Sequence, residues 1–279
     1  MMMTVRLLSL AALLLAGCTG SPGSQEDSEG DVGVSGSSLV TTNALTTNAL
    51  TMNALTMNAL TMNALTMNAL SPSNLAAIQE PSTAGDTTRM LLKYIVSCAF
   101  DATQSFGFTW KDGLNLVHEE TYWGALALAK SWPTKPLSTS DQEWVSACLI
   151  ARVNWYGVSV PLSIRGATGG LGVTDSVELD SYDREEGAFW GNLFAVSPRA
   201  YSCNYGPNNS HSRWALRDCA AGHINAHGSL TDCGMIDRLG SCNTHCSPLT
   251  SSGVYHPWCR NSTGPDAVQV SAVVTVFLQ

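Results

Sequence analysis

The alternation of apolar and polar positions predicts two helices and two strands in the second two-thirds of the chain. In "GDTTRMLLKYIVSCAF" (85–100), Leu91, Tyr94, Ile95 and Cys98 recur at helical spacing behind a capping candidate, Asp86. The stronger helix is "SDQEWVSACLIARVNWYG" (140–157). Ser140 and Glu143 have capping-box spacing, Gly157 stands at the C-terminal stop, and Trp144, Cys148, Ala151 and Trp155 share a face. "VSVPLSIR" (158–165) alternates Val158, Val160, Leu162 and Ile164 with other residues and reads as a strand, which Pro161 places at a sheet edge. "AVQVSAVVTVFL" (267–278) alternates Val268, Val270, Ala272, Val274, Val276 and Leu278 and reads as a long terminal strand. Between Ser202 and Asn261 the periodicity is lost. Helices and strands are not regularly interleaved, so the expected class is α+β, as a single disulfide-rich domain.

The front of the chain is patterned differently. Arg6 precedes an apolar run, Leu7 to Ala16, far short of the ~20 residues of a membrane-spanning helix, so this reads as a secretory signal. Leu15-Ala16-Gly17-Cys18 resembles the lipobox of bacterial lipoproteins. The resemblance implies cleavage before Cys18 and lipid attachment at Cys18, and Thr19 after it favours the outer membrane. The alternative is an ordinary signal peptide. Residues 19–88 hold no Lys, Arg or aromatic side chain, whereas every aromatic residue lies between Tyr94 and Phe277. Within that front part, Asn-Ala-Leu occurs six times at a period of five, from Asn43 to Leu70. Five matches neither the helical nor the strand period, so the leucines cannot share a face of either element. Pentapeptide-repeat solenoids use this period, but Asn and Ala are exchanged relative to their pattern. Six copies would also give too few coils for a free-standing core. A spacer is expected, or a short β-like stub leaning on the domain, with an interaction segment as a third reading. As a flexible chain, residues 19–85 would reach roughly 45 Å. The expected divisions are a signal peptide (1–17), a Gly/Ser/acidic linker (18–42), the repeat (43–70), a second linker (71–85), and a globular domain (86–279) with a loop-rich, Cys-rich part at 202–261.

Charge and cysteines narrow the chemistry. Charged residues are 13% and the formal net charge is −8, which gives no electrostatic case for nucleic acid. Apart from Cys18 there are eight cysteines, Cys98, Cys148, Cys203, Cys219, Cys233, Cys242, Cys246 and Cys259, an even number that reads as disulfides in an exported chain. Cys98 and Cys148 are expected to pair across the two helices. Cys203–Cys219, Cys233–Cys246 and Cys242–Cys259 are one arrangement of the rest. The competing chemistry is zinc, because "CAAGHINAH" spaces Cys219, His223 and His227 by four, "CNTHC" adds Cys242, His245 and Cys246, and His256 precedes Cys259 by three. Paired C-x2-C knuckles are absent and oxidised cysteines offer no thiolate, so disulfides are preferred and no metal site is expected. "LVHEETY" has His118 and Glu119 but Tyr122 where a zinc protease needs its second His. "GATGGLG" (166–172) lacks the residues of a phosphate-binding loop and is read as a loop, and no cofactor site is expected. "ELDSYDREEGAFWGNLF" gathers Glu178, Asp180, Asp183, Glu185 and Glu186 beside Trp190. Such carboxylates can serve glycoside chemistry, but the expected reading is a solvated acidic face.

The whole plan resembles uncharacterised bacterial lipoproteins in which Asn-Ala-Leu repeats separate a lipid anchor from a Cys-rich exported domain. The carrying residues are Leu15 to Cys18, Asn43 to Leu70, and "WVSACLIARVNWYGVSVPLSIRG" (144–166) leading to "EGAFWGNLF" (186–194). That resemblance implies membrane attachment through Cys18 and brings no activity with it. The expected function is a tethered binding domain for a protein or glycan partner, with loops after Ser202 as contact surface. The alternatives are a tethered hydrolase, using His118 or one of His211, His223 and His227, and a His/Cys metal-binding protein.

Overall fold

The computed structural model describes residues 40–42, 45–46, 76–156, 158–217, 223–224, 227, 230–231 and 235–279. The signal segment, Cys18, most of the repeat, Cys219 and Cys233 lie outside them. The described chain is mixed helix and sheet with three disulfides. It begins with two short strands, β1 (Val40–Thr42) and β2 (Leu45–Thr46), the second in the first repeat copy. A 3-10 turn at Ala76–Gln79 follows, then α1 (Thr83–Ala99) and a hairpin of β3 (Ser105–Lys111) and β4 (Val117–Trp123). After α2 (Thr139–Ala151) come β5 (Val153–Asn154), β6 (Pro161–Arg165), α3 (Ser176–Ser181), β7 (Arg184–Asn192) and β8 (Arg199–Asn204). The last part holds α4 (Asn209–Trp214), β9 (His223–Ile224), β10 (Leu230–Thr231), β11 (Ile236–Ser241), α5 (Cys242–His245), β12 (Cys259–Arg260), β13 (Gln269–Val270) and β14 (Val274–Leu278).

The organising element is a six-stranded sheet of order β1-β6-β14-β7-β8-β11, antiparallel except for the parallel β8–β11 pair. Helix α2 packs on one face and α1 packs against α2, and Leu91, Ile95, Leu149, Ile164, Phe189, Val274 and Val276 share a core there. The opposite face carries Ala188, Trp190 and Cys203 under the Cys-rich segment, with Cys242, Cys246, Cys259 and Val273. With both faces covered, β14 is buried at all five positions.

Each predicted element is present with moved ends. Helix α1 starts at Thr83 with Ser82 as N-cap, and Ile78 is fully buried, so packing begins upstream of Gly85. The capping box of α2 is Ser138 with Asp141, two residues before the expected pair. Trp155 lies outside the helix and is partly exposed, because α2 ends at Ala151. The terminal strand divides into β13 and β14, and only Val274, Val276 and Leu278 keep the expected apolar face. Strand β6 starts at Pro161, where a missing N–H costs least, but β1 pairs outside it, so it is not the edge.

The bridges are Cys98–Cys148, as expected, and Cys203–Cys242 and Cys246–Cys259. These replace the expected Cys203–Cys219, Cys233–Cys246 and Cys242–Cys259. The sheet decides the partners: Cys203 on β8 faces the layer into which α5, at the end of the adjacent β11, delivers Cys242 and Cys246. Sequence distance along a loop carries no such information.

Candidate functional site

Three of the five acidic residues expected on a solvated face are buried, and each meets a basic side chain. Glu178 pairs with Arg165 at 2.8 Å, Glu185 with His256 at 2.9 Å and Glu186 with Arg217 at 2.6 Å. Only Asp180 and Asp183 are exposed. A buried carboxylate is tolerable only when paired, so these residues are parts of the framework. Burial pulls the Arg165 guanidinium below its ordinary value.

A bulge separates two of these pairs. On β7, Gly187 lies opposite Val276 while Glu185 lies opposite Phe277, so Glu186 is an extra residue in the strand. Without it, Glu186 would fall on the face of Ala188 and Trp190. Instead Glu186 joins Arg217 on the helix side, and Glu185 joins His256 beside Cys242 on the sulfur side. His256 Nδ1 lies 2.6 Å from the Ser247 carbonyl, to which it must donate.

Glu186 then anchors α4 to the sheet. It accepts from Ser212 Oγ inside α4 at 2.6 Å and from Arg217 Nε just past the helix at 2.6 Å, which fixes the helix and the turn that follows it. Asn208 adds a side-chain donation to the Glu185 carbonyl at 2.8 Å. The chain turns back after α4 through Leu216, whose φ of 56° is the left-handed conformation that bulky residues rarely adopt. That turn drives Arg217 inward, where Nη1 donates to the Val153 carbonyl at 2.7 Å and Nη2 to the Ala151 carbonyl.

Between α4 and the sheet end, where β6 starts, β14 finishes and β7 starts, lies a cleft of about 430 Å3. Ser159, Pro161, Arg184, His211, Trp214 and Leu278 are among its walls. Trp214 is 86% exposed although it belongs to a helix, so its ring faces solvent at the cleft mouth. Arg184 donates to the Gln279 backbone oxygen at 2.7 Å and approaches His211 Nδ1 at 3.4 Å. The cleft thus joins a guanidinium, an imidazole and an open indole face, groups that bind an anion and a flat apolar or C–H surface.

The remaining candidates fall elsewhere. His118 sits on β4, stacked on Trp110 at 4.5 Å between ring centres, with Arg89 on the same indole at 3.5 Å. Its Nε2 lies 3.0 Å from Asp112, and this hydrogen bond leads the contacts that hold the Asp112 carboxyl below its ordinary value. Glu119 is on the exposed face of the same strand. His223 is in β9, and His227 is exposed. His245 is buried near the Arg260 carbonyl, and Trp190 is buried in the sulfur layer. The loop at 166–172 is pinned, Gly170 donating to the Leu126 carbonyl at 2.8 Å.

Cys203, Cys246 and Cys259 bring their sulfurs within 4.8 Å of one another, and Glu185, Cys242 and His256 do the same with their ligating atoms. All four sulfurs are committed to bridges, so the oxidised protein has no thiolate to offer a metal there. The Glu185–His256 pair, Trp214 and Arg184 have no motif in the sequence; only the density of "YDREEG" next to a strand pointed toward the first. Among the described residues, no helix is long and apolar enough to cross a membrane. Comparisons with protein-family models, curated proteins and solved structures find no match to this chain.

Proposed function

We propose that the chain is an exported lipoprotein, held at the outer membrane through Cys18, whose disulfide-bonded domain binds a small anionic ligand in the cleft beneath α4. The observation that carries the binding reading is the open Trp214 ring beside Arg184 and His211 in a cleft of about 430 Å3. The three bridges support an oxidising compartment. A ligand with a carboxylate and a C–H face, such as an acidic sugar, fits these groups: Arg184 takes the charge and the indole takes the flat face. His211 faces Arg184 rather than a carboxylate, which favours binding over acid–base chemistry.

The test titrates the full chain with glucuronate, using glucose as neutral control and tryptophan fluorescence as readout. Saturation by glucuronate alone, weakened about tenfold by Arg184→Gln and abolished as a signal by Trp214→Ala, supports the reading. No saturation, or equal binding by both variants, overturns it. For the anchor, Cys18→Ala must move the protein out of the membrane fraction; retention there refutes lipid attachment.

A further inference from the structure

The two bridges of the sulfur layer are in contact with each other. Cys203 Sγ and Cys246 Sγ, from different bridges, lie 3.5 Å apart. Neither carries a hydrogen, so the approach is a van der Waals contact between two disulfides rather than a hydrogen bond. Cys242 opens α5 and Cys246 closes it one turn later, so both bridges hang from one short helix. Cys246 is the most exposed of the four at 8%, against 0–1% for the others. Cys242 sits at the inner end, its sulfur within 4.8 Å of ligating atoms of Glu185 and His256.

From this arrangement we propose that the paired bridges are a thiol–disulfide exchange site, entered at Cys246 and leaving its reducing equivalents at Cys242. Its substrate class is an external dithiol, which opens Cys246–Cys259 to two thiols and is itself oxidised to a cyclic disulfide. Cys246 then loses its proton, and the thiolate attacks Cys203 Sγ. A Cys203–Cys246 bond forms, the Cys203–Cys242 bond breaks, and its electron pair leaves on Cys242, which takes up one proton. One thiol and one disulfide become another thiol and another disulfide, with no further oxidant. The polar Glu185–His256 pair gives the displaced thiolate a proton-bearing neighbour in an otherwise apolar layer.

The experiment uses the full-length Cys259→Ser variant, in which Cys246 is left unpaired. The protein is quenched in acid, labelled with a maleimide and mapped by mass spectrometry. Label divided between Cys246 and Cys242, with neither below about a tenth (the share left by a tenfold bias in the exchange equilibrium), is expected. Cys242→Ser runs the exchange backwards, dividing label between Cys203 and Cys259. Label confined to the residue each substitution leaves unpaired overturns the proposal. So does label spread onto Cys98 and Cys148, which would show general scrambling instead of local exchange.

Discussion

Replacing Arg217 by Met isolates the energetic role of the buried acidic strand. Glu186 and Arg217 are 1% and 0% exposed and lie 2.6 Å apart. Met keeps most of the apolar stem, so cavity formation contributes little, whereas the carboxylate left behind is buried with only Ser212 to hydrogen-bond it. Removing one partner of such a pair costs about 3–5 kcal/mol. The Ala151 and Val153 carbonyls lose their donors as well, which adds about 1–3 kcal/mol. The expected loss is about 5 kcal/mol, or a fall in Tm of about 10 °C or more. Adding Glu186→Gln removes the orphaned charge, so the double variant should recover at least about 2 kcal/mol of the loss. Urea unfolding of the full chain under non-reducing conditions, followed by far-UV circular dichroism, measures both. A single variant within about 1 kcal/mol of the parent, or a double variant as unstable as the sum of its parts, would refute the argument from buried charge.

Two further predictions concern the bridges and the hairpin. Closing the 50-residue separation between Cys98 and Cys148 corresponds to about 4 kcal/mol of chain entropy, against about 3 kcal/mol for the 13-residue separation of Cys246 and Cys259. Paired Cys→Ser variants compared by urea unfolding should rank in that order, and the reverse ranking would show that strain or unfolded-state structure dominates. On the hairpin, the Asp112 carboxyl is held below its ordinary value by His118. A depressed carboxyl contributes stability above its unfolded pKa and loses it as the pH falls through the folded pKa. His118→Gln should therefore raise the Asp112 titration midpoint toward the ordinary range in carboxyl-detected NMR, and an unchanged midpoint would dismiss the hydrogen bond as its cause.

What was legible in the sequence follows the reach of each interaction. Leu91, Tyr94, Ile95 and Cys98 do mark a buried helix face, and Val274, Val276 and Leu278 do line the core, because local periodicity reports local geometry. The end of α2 at Ala151 has no local stop signal, because the carbonyl of Ala151 accepts from Arg217, over sixty residues away, while those of Leu149 and Ile150 accept from the Arg152 N–H. Cysteine pairing was legible only for Cys98–Cys148, where both partners stand on predicted helix faces. The other bridges depend on the parallel pairing of β8 and β11, a long-range choice without a local signature. The burial of the acidic stretch is hidden for the same reason: its partners, Arg165, Arg217 and His256, come from three separate segments. The cleft has no local signature in the sequence, since Arg184, His211 and Trp214 meet only where α4 crosses the sheet end.

The bulge at Glu186 makes the length of one strand a wiring diagram. Deleting Glu186 would leave Arg184 and Glu185 on the sides they occupy, but were Glu186 to pair directly with Phe277, strict alternation along β7 would return and both would move to the opposite sides of the sheet. His256 would then lose its carboxylate and Arg217 would have to find a new one, while the cleft would lose the wall that Arg184 supplies. A substitution at any one of these positions removes one connection, but a shift of the frame disconnects the sulfur layer, the helix end and the ligand surface together. In this fold, a one-residue slip between β7 and β14 is therefore far more damaging than an exchange of side chain.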